Sequence, residues 1–129
     1  MIQNIGQITL LVKDYDDAIK FYTQKLEFQI LEDTKLSEDK RWVIISPQGN
    51  SCCNILLAKA TNEKQIACVG NQTGGRVFLF LYTDDFFRDY EKMIQKNIKF
   101  LSLPRNEIYG TVAVFEDLYG NLWDFIQKK

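Results

Sequence analysis

The sequence predicts an α+β fold built from two βαβββ modules. Three observations support this: two stretches carry apolar residues at helical spacing, strand-like runs flank them, and each half has the order strand, helix, strand, strand, strand. The two helical stretches lie about 70 residues apart, which is typical of an internal repeat. Module one then covers about residues 1–60 and module two about residues 76–129, joined by a linker at about 61–75.

The first helix is predicted from Tyr15 to Leu26. Within "YDDAIKFYTQKL" the apolar positions recur every three or four residues, which gives the helix one face to bury. Asp14 and Asp17 stand three residues apart at its start, a spacing typical of a pair that caps a helix N-terminus.

The second helix lies in "TDDFFRDYEKMIQKNIKF", where Phe86, Tyr90 and Met93 share a helical face. Asp84 or Asp85 is placed to accept hydrogen bonds from the free amides of the first turn. A residue such as asparagine favours the left-handed conformation that ends many helices, and the sequence supplies one at position 97.

Eight runs have the length and residue types of strands. In chain order they are "IGQITLLV", "FQILEDT", "RWVIIS", "CNILLAKA", "RVFLFLYT", "KFLSL", "TVAVFE" and "NLWDFIQ". Alternation in the first run places Gln7 opposite the apolar face that carries Leu10. In the last run it places Trp123 and Phe125 on one face and Asp124 on the other. If the helices cover the aromatic side, Asp124 faces away from them.

Aromatic residues outside the helices are candidates for lining a pocket. Trp42 and Tyr109 suit a flat or apolar ligand. Tyr82 alternates with Phe78 and Phe80, so we expect it on the helix-packed side of its strand and in the core.

The connector "TNEKQIACVGNQTGG" is polar and ends in glycines, as linkers do. A phosphate-binding loop is excluded, because these glycines lead into a strand rather than a helix N-terminus.

Composition limits the classes of partner. With 129 residues the chain suits one domain, and 16 basic against 17 acidic residues argue against nucleic acid. No run approaches the roughly 20 apolar residues of a membrane span, and the opening residues lack the pattern of a signal peptide. Cys52, Cys53 and Cys68 form no CxxC pair, so we expect a cytoplasmic protein with reduced thiols that are small buried apolar residues.

The chain contains no histidine. It therefore lacks histidine-based nucleophilic triads and relays, and it lacks the commonest protein ligand for zinc, nickel and iron. Several enzyme classes are excluded together.

Three stretches carry a family resemblance: "VKDYDDAIKFYTQKLEF", "LYTDDFFRDYEKMIQKNIKF" and "FEDLYGNLWDFIQ". In this order and spacing, over essentially the whole chain, they resemble the vicinal oxygen chelate superfamily, which includes glyoxalases, bleomycin-resistance proteins and extradiol dioxygenases. The resemblance implies a glyoxalase-like fold in which a curved mixed sheet surrounds a concave site, usually in a homodimer. It also implies a divalent metal that chelates adjacent substrate oxygens and acts as a Lewis acid.

Not every metal-ligand position implied by the resemblance carries a residue that can bind metal in this sequence. The first-strand ligand falls on Gln7, the fourth-strand acid near Asn54 or Ile55, the fifth-strand ligand on Val77, and the last-strand acid on Asp124. Valine has no donor atom, so the residues allow at most a weakly bound divalent ion, held by Gln7 and Asp124. We assign no resident metal and no cofactor.

Asp124 is also the candidate catalytic residue. It is a general base if apolar neighbours raise its pKa, or a solvated or hydrogen-bonded acid late in a strand, which is the interpretation we favour. Asp117 is expected to shape the "DLYGN" turn, in which Gly120 or Asn121 takes a positive φ.

Arginines stand at strand edges. Arg41, Arg76 and Arg105 have forked donors that suit a carboxylate or phosphate, so Arg76 and Arg105 join the candidate binding residues. Ion pairs within the protein, with Glu116 or Asp117, would explain the arginines equally well.

Three functions are compatible with these residues: a glyoxalase-like lyase or isomerase centred on Gln7 and Asp124, a protein that sequesters a small molecule, and a partner-binding module. The sequence favours a small-molecule pocket without a tightly bound metal. The alternative is a metal-dependent glyoxalase-like lyase or a dioxygenase-type enzyme acting on a small oxygenated substrate.

Overall fold

The computed structural model describes residues 1–49 and 52–129. They form two compact units, Met1–Val69 and Gly70–Lys129. Each unit contains one mixed sheet, so the predicted α+β class is confirmed.

The first unit follows the order predicted for module one. Its elements are β1 (Gln7–Val12), α1 (Tyr15–Lys20), β2 (Gln29–Lys35), β3 (Arg41–Ser46), β4 (Asn54–Lys59) and α2 (Glu63–Cys68). The strand order is β1-β4-β3-β2, with β1 parallel to β4 and the other neighbours antiparallel. Because β1 and β4 are parallel, the chain must cross from the end of one to the start of the other, and α1 lies in this connection. The short helix α2 lies within the segment that we expected to be a linker.

The second unit repeats this plan. Its elements are β5 (Val77–Tyr82), α3 (Phe86–Gln95), β6 (Lys99–Phe100), β7 (Arg105–Glu107), β8 (Gly110–Glu116) and β9 (Leu122–Lys128). The order is β5-β9-β8-β6, and β7 also pairs with β8. The run predicted as one strand, "KFLSL", contributes only its first two residues, and β7 is an additional strand.

Local signals set the helix ends as predicted. The Asp14 carboxylate accepts a hydrogen bond from the Asp17 amide at 2.8 Å, and the Asp85 carboxylate accepts one from the Arg88 amide at 3.2 Å. After α3, Asn97 takes φ 63°, the left-handed stop. Helix α1 is shorter than predicted, because the chain widens into a π-helical turn over Phe21–Lys25.

Each sheet has one covered, apolar face. In the second unit, Trp123 and Phe125 are each only 2% exposed, and the ring of Phe125 lies 5.1 Å from that of Phe86 on α3. Phe115 stacks on Trp123 at 5.7 Å between ring centroids. The predicted side for Trp123 and Phe125 is therefore confirmed, and each buried ring contributes roughly 1.5–3 kcal/mol.

Two predictions about buried residues are wrong. Tyr82 and Phe80 are 53% and 56% exposed rather than in the core. Cys52 is exposed, while Cys53 and Cys68 are half-buried, so these thiols are not fully buried apolar residues.

A β-bulge explains the error at Tyr82. Val77 pairs with Leu122 on β9, but Leu79 pairs with Trp123, so β5 has one residue more than its partner at Phe78. Phe78 stays on the covered side, with its ring 6.4 Å from that of Trp123. Beyond the extra residue every side chain changes face, because strand side chains alternate with a period of two.

In the part of the chain that the structure describes, the helices are all too short or too polar to cross a membrane.

Candidate functional site

The face of the second sheet opposite α3 brings Asp124 beside aromatic and aliphatic side chains, and Val112 and Ile126 on the same face are buried. In register, Asp124 lies between Phe80 on β5 and Val114 on β8. Residues paired across neighbouring strands share a face, and the strands are about 4.8 Å apart. Tyr82 and Leu122 lie on the same face in the adjacent rows. We call these five residues, Phe80, Tyr82, Val114, Leu122 and Asp124, the Asp124 face.

The Asp124 carboxylate is half-buried and lacks a close partner. Among residues 1–49 and 52–129, no hydrogen bond or ion pair reaches it, and the charge of Arg105 acts on it only from a distance. Burial raises the pKa of Asp124, and the positive charge of Arg105 lowers it by less. A carboxyl group in this state is able to accept a hydrogen bond or take up a proton more readily than a solvated one.

The cations in register on this face are already engaged. The Arg105 guanidinium donates to Glu107 at 2.9 Å, and this hydrogen bond is the main cause that raises the pKa of Arg105, ahead of one with Tyr109. The Lys99 amino group lies 3.2 Å from the Glu116 carboxylate.

Lys128 is placed against an aromatic ring rather than an acid. Its Nζ lies 4.6 Å from the ring centroid of Tyr82, a cation–π contact. Of the carboxylates in register on this face, Glu107 and Glu116 are ion-paired, whereas Asp124 has no hydrogen bond or ion pair within residues 1–49 and 52–129.

Asp117 is structural, as predicted. Its carboxylate accepts hydrogen bonds from the Tyr119 amide at 3.0 Å, the Asn121 amide at 3.0 Å and the Asn121 side chain at 2.9 Å. Gly120 has φ 99°, a conformation that favours glycine. The turn fixes the start of β9, and so the register that places Asp124.

One face of the first sheet combines neutral polar and aliphatic side chains, and we call it the Gln7 face: Gln7, Thr9, Asn54, Leu56 and Ile44. Gln7 pairs in register with Asn54, and Thr9 with Leu56, which also pairs with Ile44. Of the two fourth-strand candidates, Asn54 shares the face of Gln7, while Ile55 is buried on the other side. Trp42 follows on this face near the opposite end of β3, so the structure does not bring it beside Gln7.

The remaining candidates lie at edges. Arg76 is exposed just before β5, and Tyr109 is exposed in the turn between β7 and β8. Arg41 is an internal ion-pair residue, with donors 2.8 Å from Asp16 and 2.7 Å from Asp33.

Sequence reasoning missed Phe80 and Tyr82 as site residues. The bulge that exposes them has no glycine or proline to mark it in "RVFLFLY". The exposed aromatic pair is therefore a finding of the structure.

The donor set does not fit a tightly held metal ion. Of the positions that the resemblance assigns to ligands, Val77 offers only an alkyl side chain, which leaves the amides of Gln7 and Asn54 and the carboxylate of Asp124. Across the described residues, no three histidine, cysteine, aspartate or glutamate side chains lie close enough to hold an ion. Catalytic zinc sites commonly use about three protein ligands, usually histidine, cysteine or carboxylate.

Fold and sequence place the chain in a known family. The model of the Glyoxalase/Bleomycin resistance protein/Dioxygenase superfamily matches residues 4–125, and the chain belongs to this superfamily. An uncharacterized protein of Shewanella frigidimarina is 57% identical over 128 residues, covering 98% of this chain and 95% of that protein. YetH of Bacillus subtilis is 28% identical over 123 residues, covering 95% and 97%.

Solved structures have the same fold. UcmS2 is 26% identical, with a TM-score of 0.84 and 98% of both chains covered. TnmS3 of Streptomyces sp. CB03234, an antibiotic-binding protein, is 23% identical with a TM-score of 0.80, covering 99% of this chain and 98% of that one. The likeness to TnmS3 shows the fold alone.

Proposed function

We propose that this chain binds a small molecule on the Asp124 face and holds it without a tightly bound metal. The observation that carries the proposal is a half-buried carboxylate that no hydrogen bond or ion pair from the described residues reaches, beside two aromatic rings that are more than half exposed. Partial burial removes water from this carboxylate, as its raised pKa shows, and a donor on a ligand would replace that water. Exposed rings bury apolar area when a flat molecule covers them.

The superfamily supports this proposal. TnmS3 is described as an antibiotic-binding protein, so a protein of this fold binds a small molecule. Because that likeness concerns the fold only, the ligand of the present chain is argued from its own residues.

The test is thermal unfolding in the presence of a library of small aromatic compounds. A ligand that binds only the folded state stabilises it by about 2.7 kcal/mol at a concentration 100 times its Kd. We expect Phe80→Ala to remove the stabilisation. Phe87→Ala is the matched control, since Phe87 on α3 is 57% exposed against 56% for Phe80. Equal responses in the two variants would refute binding on the Asp124 face.

A second candidate is metal-free general base catalysis by Asp124, which the burial-raised pKa of this carboxyl favours. A glyoxalase assay with methylglyoxal hemithioacetal separates it from sequestration, run with and without added nickel, zinc or manganese. We expect no turnover in either condition. Turnover that needs the metal, with stoichiometric metal in the purified protein, would favour a metal-dependent lyase instead.

We also propose that the chain forms a homodimer, as the resemblance implies. Light scattering during size-exclusion chromatography is expected to give twice the chain mass of 15.1 kDa.

A further inference from the structure

We infer that the ligand of the Asp124 face is a flat aromatic molecule carrying a positively charged nitrogen. This inference rests on the proposed function and adds the ligand's charge and shape. The charge is inferred from the ion pairs already formed on the sheet. The shape is inferred from the aromatic ring that has no stacking partner among the described residues.

The charge of the ligand follows from the charges of the sheet. Arg105 is paired with Glu107 at 2.9 Å and Lys99 with Glu116 at 3.2 Å, while Lys128 lies over the Tyr82 ring. Asp124 has no such contact within residues 1–49 and 52–129. A protonated amine would give this half-buried carboxylate a charge-assisted hydrogen bond, the strongest kind that a small ligand offers it.

The shape of the ligand follows from Phe80. Its ring has no stacking partner and no cation over it among the described residues, whereas Tyr82 already carries Lys128. Phe80 and Asp124 are register partners on adjacent strands, about 4.8 Å apart. A ring stacked on Phe80 therefore places a substituent one or two bonds long within reach of the carboxylate.

An anionic ligand fits the face less well. Binding it beside Asp124 would bring two negative charges together, and the nearest cation in register, Arg105, already donates to Glu107. Arg76 is a cation outside this register, exposed before β5 begins. The experiment below tests it directly.

Three probes with one ring system and different charge test the inference at pH 7. They are 2-naphthylmethylamine, a cation; 2-naphthalenemethanol, which is neutral; and 2-naphthoate, an anion. Isothermal titration gives a Kd for each. We expect the amine to bind about 10-fold or more tightly than the alcohol, as expected for a hydrogen bond between charged groups. The naphthoate should bind most weakly.

Variants assign the preference to one carboxylate. Asp124→Asn should bind amine and alcohol equally. Glu116→Gln is the matched control, because it removes a carboxylate of the same face that is paired with Lys99, and it should retain the preference. Circular dichroism checks that each variant folds.

If Asp124→Asn does not fold, wild-type protein alone can test whether the Asp124 carboxylate causes the preference for the amine. The ratio of alcohol Kd to amine Kd should fall toward one as the pH is lowered through the pKa of Asp124. The charged or titratable groups facing Asp124 are Tyr82 on β5, Lys99 on β6, Arg105 and Glu107 on β7, Glu116 on β8 and Lys128 on β9. Glu107→Gln and Glu116→Gln each remove another carboxylate of this face and should show the same pH dependence as the wild type.

The outcomes separate the inference from the proposed function. Equal binding of amine and alcohol, lost in Phe80→Ala, would overturn the inference and leave ligand binding on this face standing. Tightest binding of naphthoate, lost in Arg76→Gln, would also overturn the inference. If none of the three probes binds, the inference is overturned, and thermal unfolding with the compound library decides the proposed function separately.

Discussion

The Gln7 face and the Asp124 face differ in chemistry although the two sheets share one strand plan. The Gln7 face presents amides and a hydroxyl beside the aliphatic Leu56 and Ile44, with Gln7 and Asn54 in register. The Asp124 face presents a carboxylate and two exposed rings. The duplicated plan thus fixes where side chains lie, and the residues themselves decide what each face can bind.

The edge strands show how this difference arises. Strand β1 pairs with β4 over six residues without a shift, so its alternation is regular. Strand β5 has one extra residue at Phe78, which moves Phe80 and Tyr82 to the side that carries Asp124. The extra residue therefore puts the aromatic side chains of Phe80 and Tyr82, rather than those of Leu79 and Leu81, on the side that carries Asp124.

The largest effect is expected from the covered faces, where the two units are alike. Trp123→Ala should lower the free energy of unfolding by about 3–5 kcal/mol, and Leu10→Ala in the first unit by about 2–5 kcal/mol, because both side chains are buried. Chemical denaturation measures both values. A loss below about 1 kcal/mol in either variant would show that its covered face is not a packed core.

The next effect concerns the turn that positions β9. Asp117→Ala should cost about 2–3 kcal/mol, because the buried amide and side chain of Asn121 lose their acceptor. Denaturation again measures the loss. Asp124→Ala serves as its control, since no hydrogen bond from the described residues reaches that carboxylate. Equal losses in the two variants would contradict the distinction between a structural and a binding aspartate.

Ligand binding sharpens the comparison between the faces. Asp124→Ala should weaken 2-naphthylmethylamine by about 10-fold or more. Gln7→Ala removes an exposed amide from the other sheet and should change the Kd less than about twofold. A larger effect of Gln7→Ala would place the ligand on the Gln7 face.

The smallest effect is on the pH dependence of stability. Because burial raises the pKa of Asp124, this group contributes stability below its unfolded pKa, and the contribution is lost as the pH rises through the folded pKa. Asp124→Asn should therefore raise Tm slightly at pH 7 and leave it unchanged near pH 3.

The pKa of Asp89 is shifted in the opposite direction to that of Asp124, so Asp89 is the control for the pH experiment. Burial alone would raise the pKa of Asp89, but hydrogen bonds from Arg88 and Thr83 outweigh it and the pKa is lowered. Asp89 thus contributes stability above its unfolded pKa, and that contribution is lost as the pH falls. Asp89→Asn should lower Tm at pH 7, and the same sign in both aspartate variants would contradict this assignment.

Much of the fold was predictable because local signals and tertiary packing agree. Capping by Asp14 and Asp85, the stop at Asn97 and the side assigned to Trp123 follow from hydrogen-bonding chemistry and from alternation along a strand. Asp117 was identified from its turn for the same reason.

The site was less predictable, because register is a property of two strands. Whether Asn54 or Ile55 faces Gln7 depends on how β4 pairs with β1, which one strand's sequence does not specify. The extra residue at Phe78 is similarly visible only against β9. The shared concave site, the homodimer and the absence of a resident metal stay predictions.

The bulge also limits how residues are compared across this superfamily. A relative whose fifth strand lacks the additional residue would carry the same letters, Phe and Tyr, turned beneath its helix instead of toward solvent. A sequence alignment would then equate an aromatic residue proposed to contact the ligand with one that packs in the core. Roles at positions 80 and 82 are therefore transferable only to proteins shown to share this irregularity.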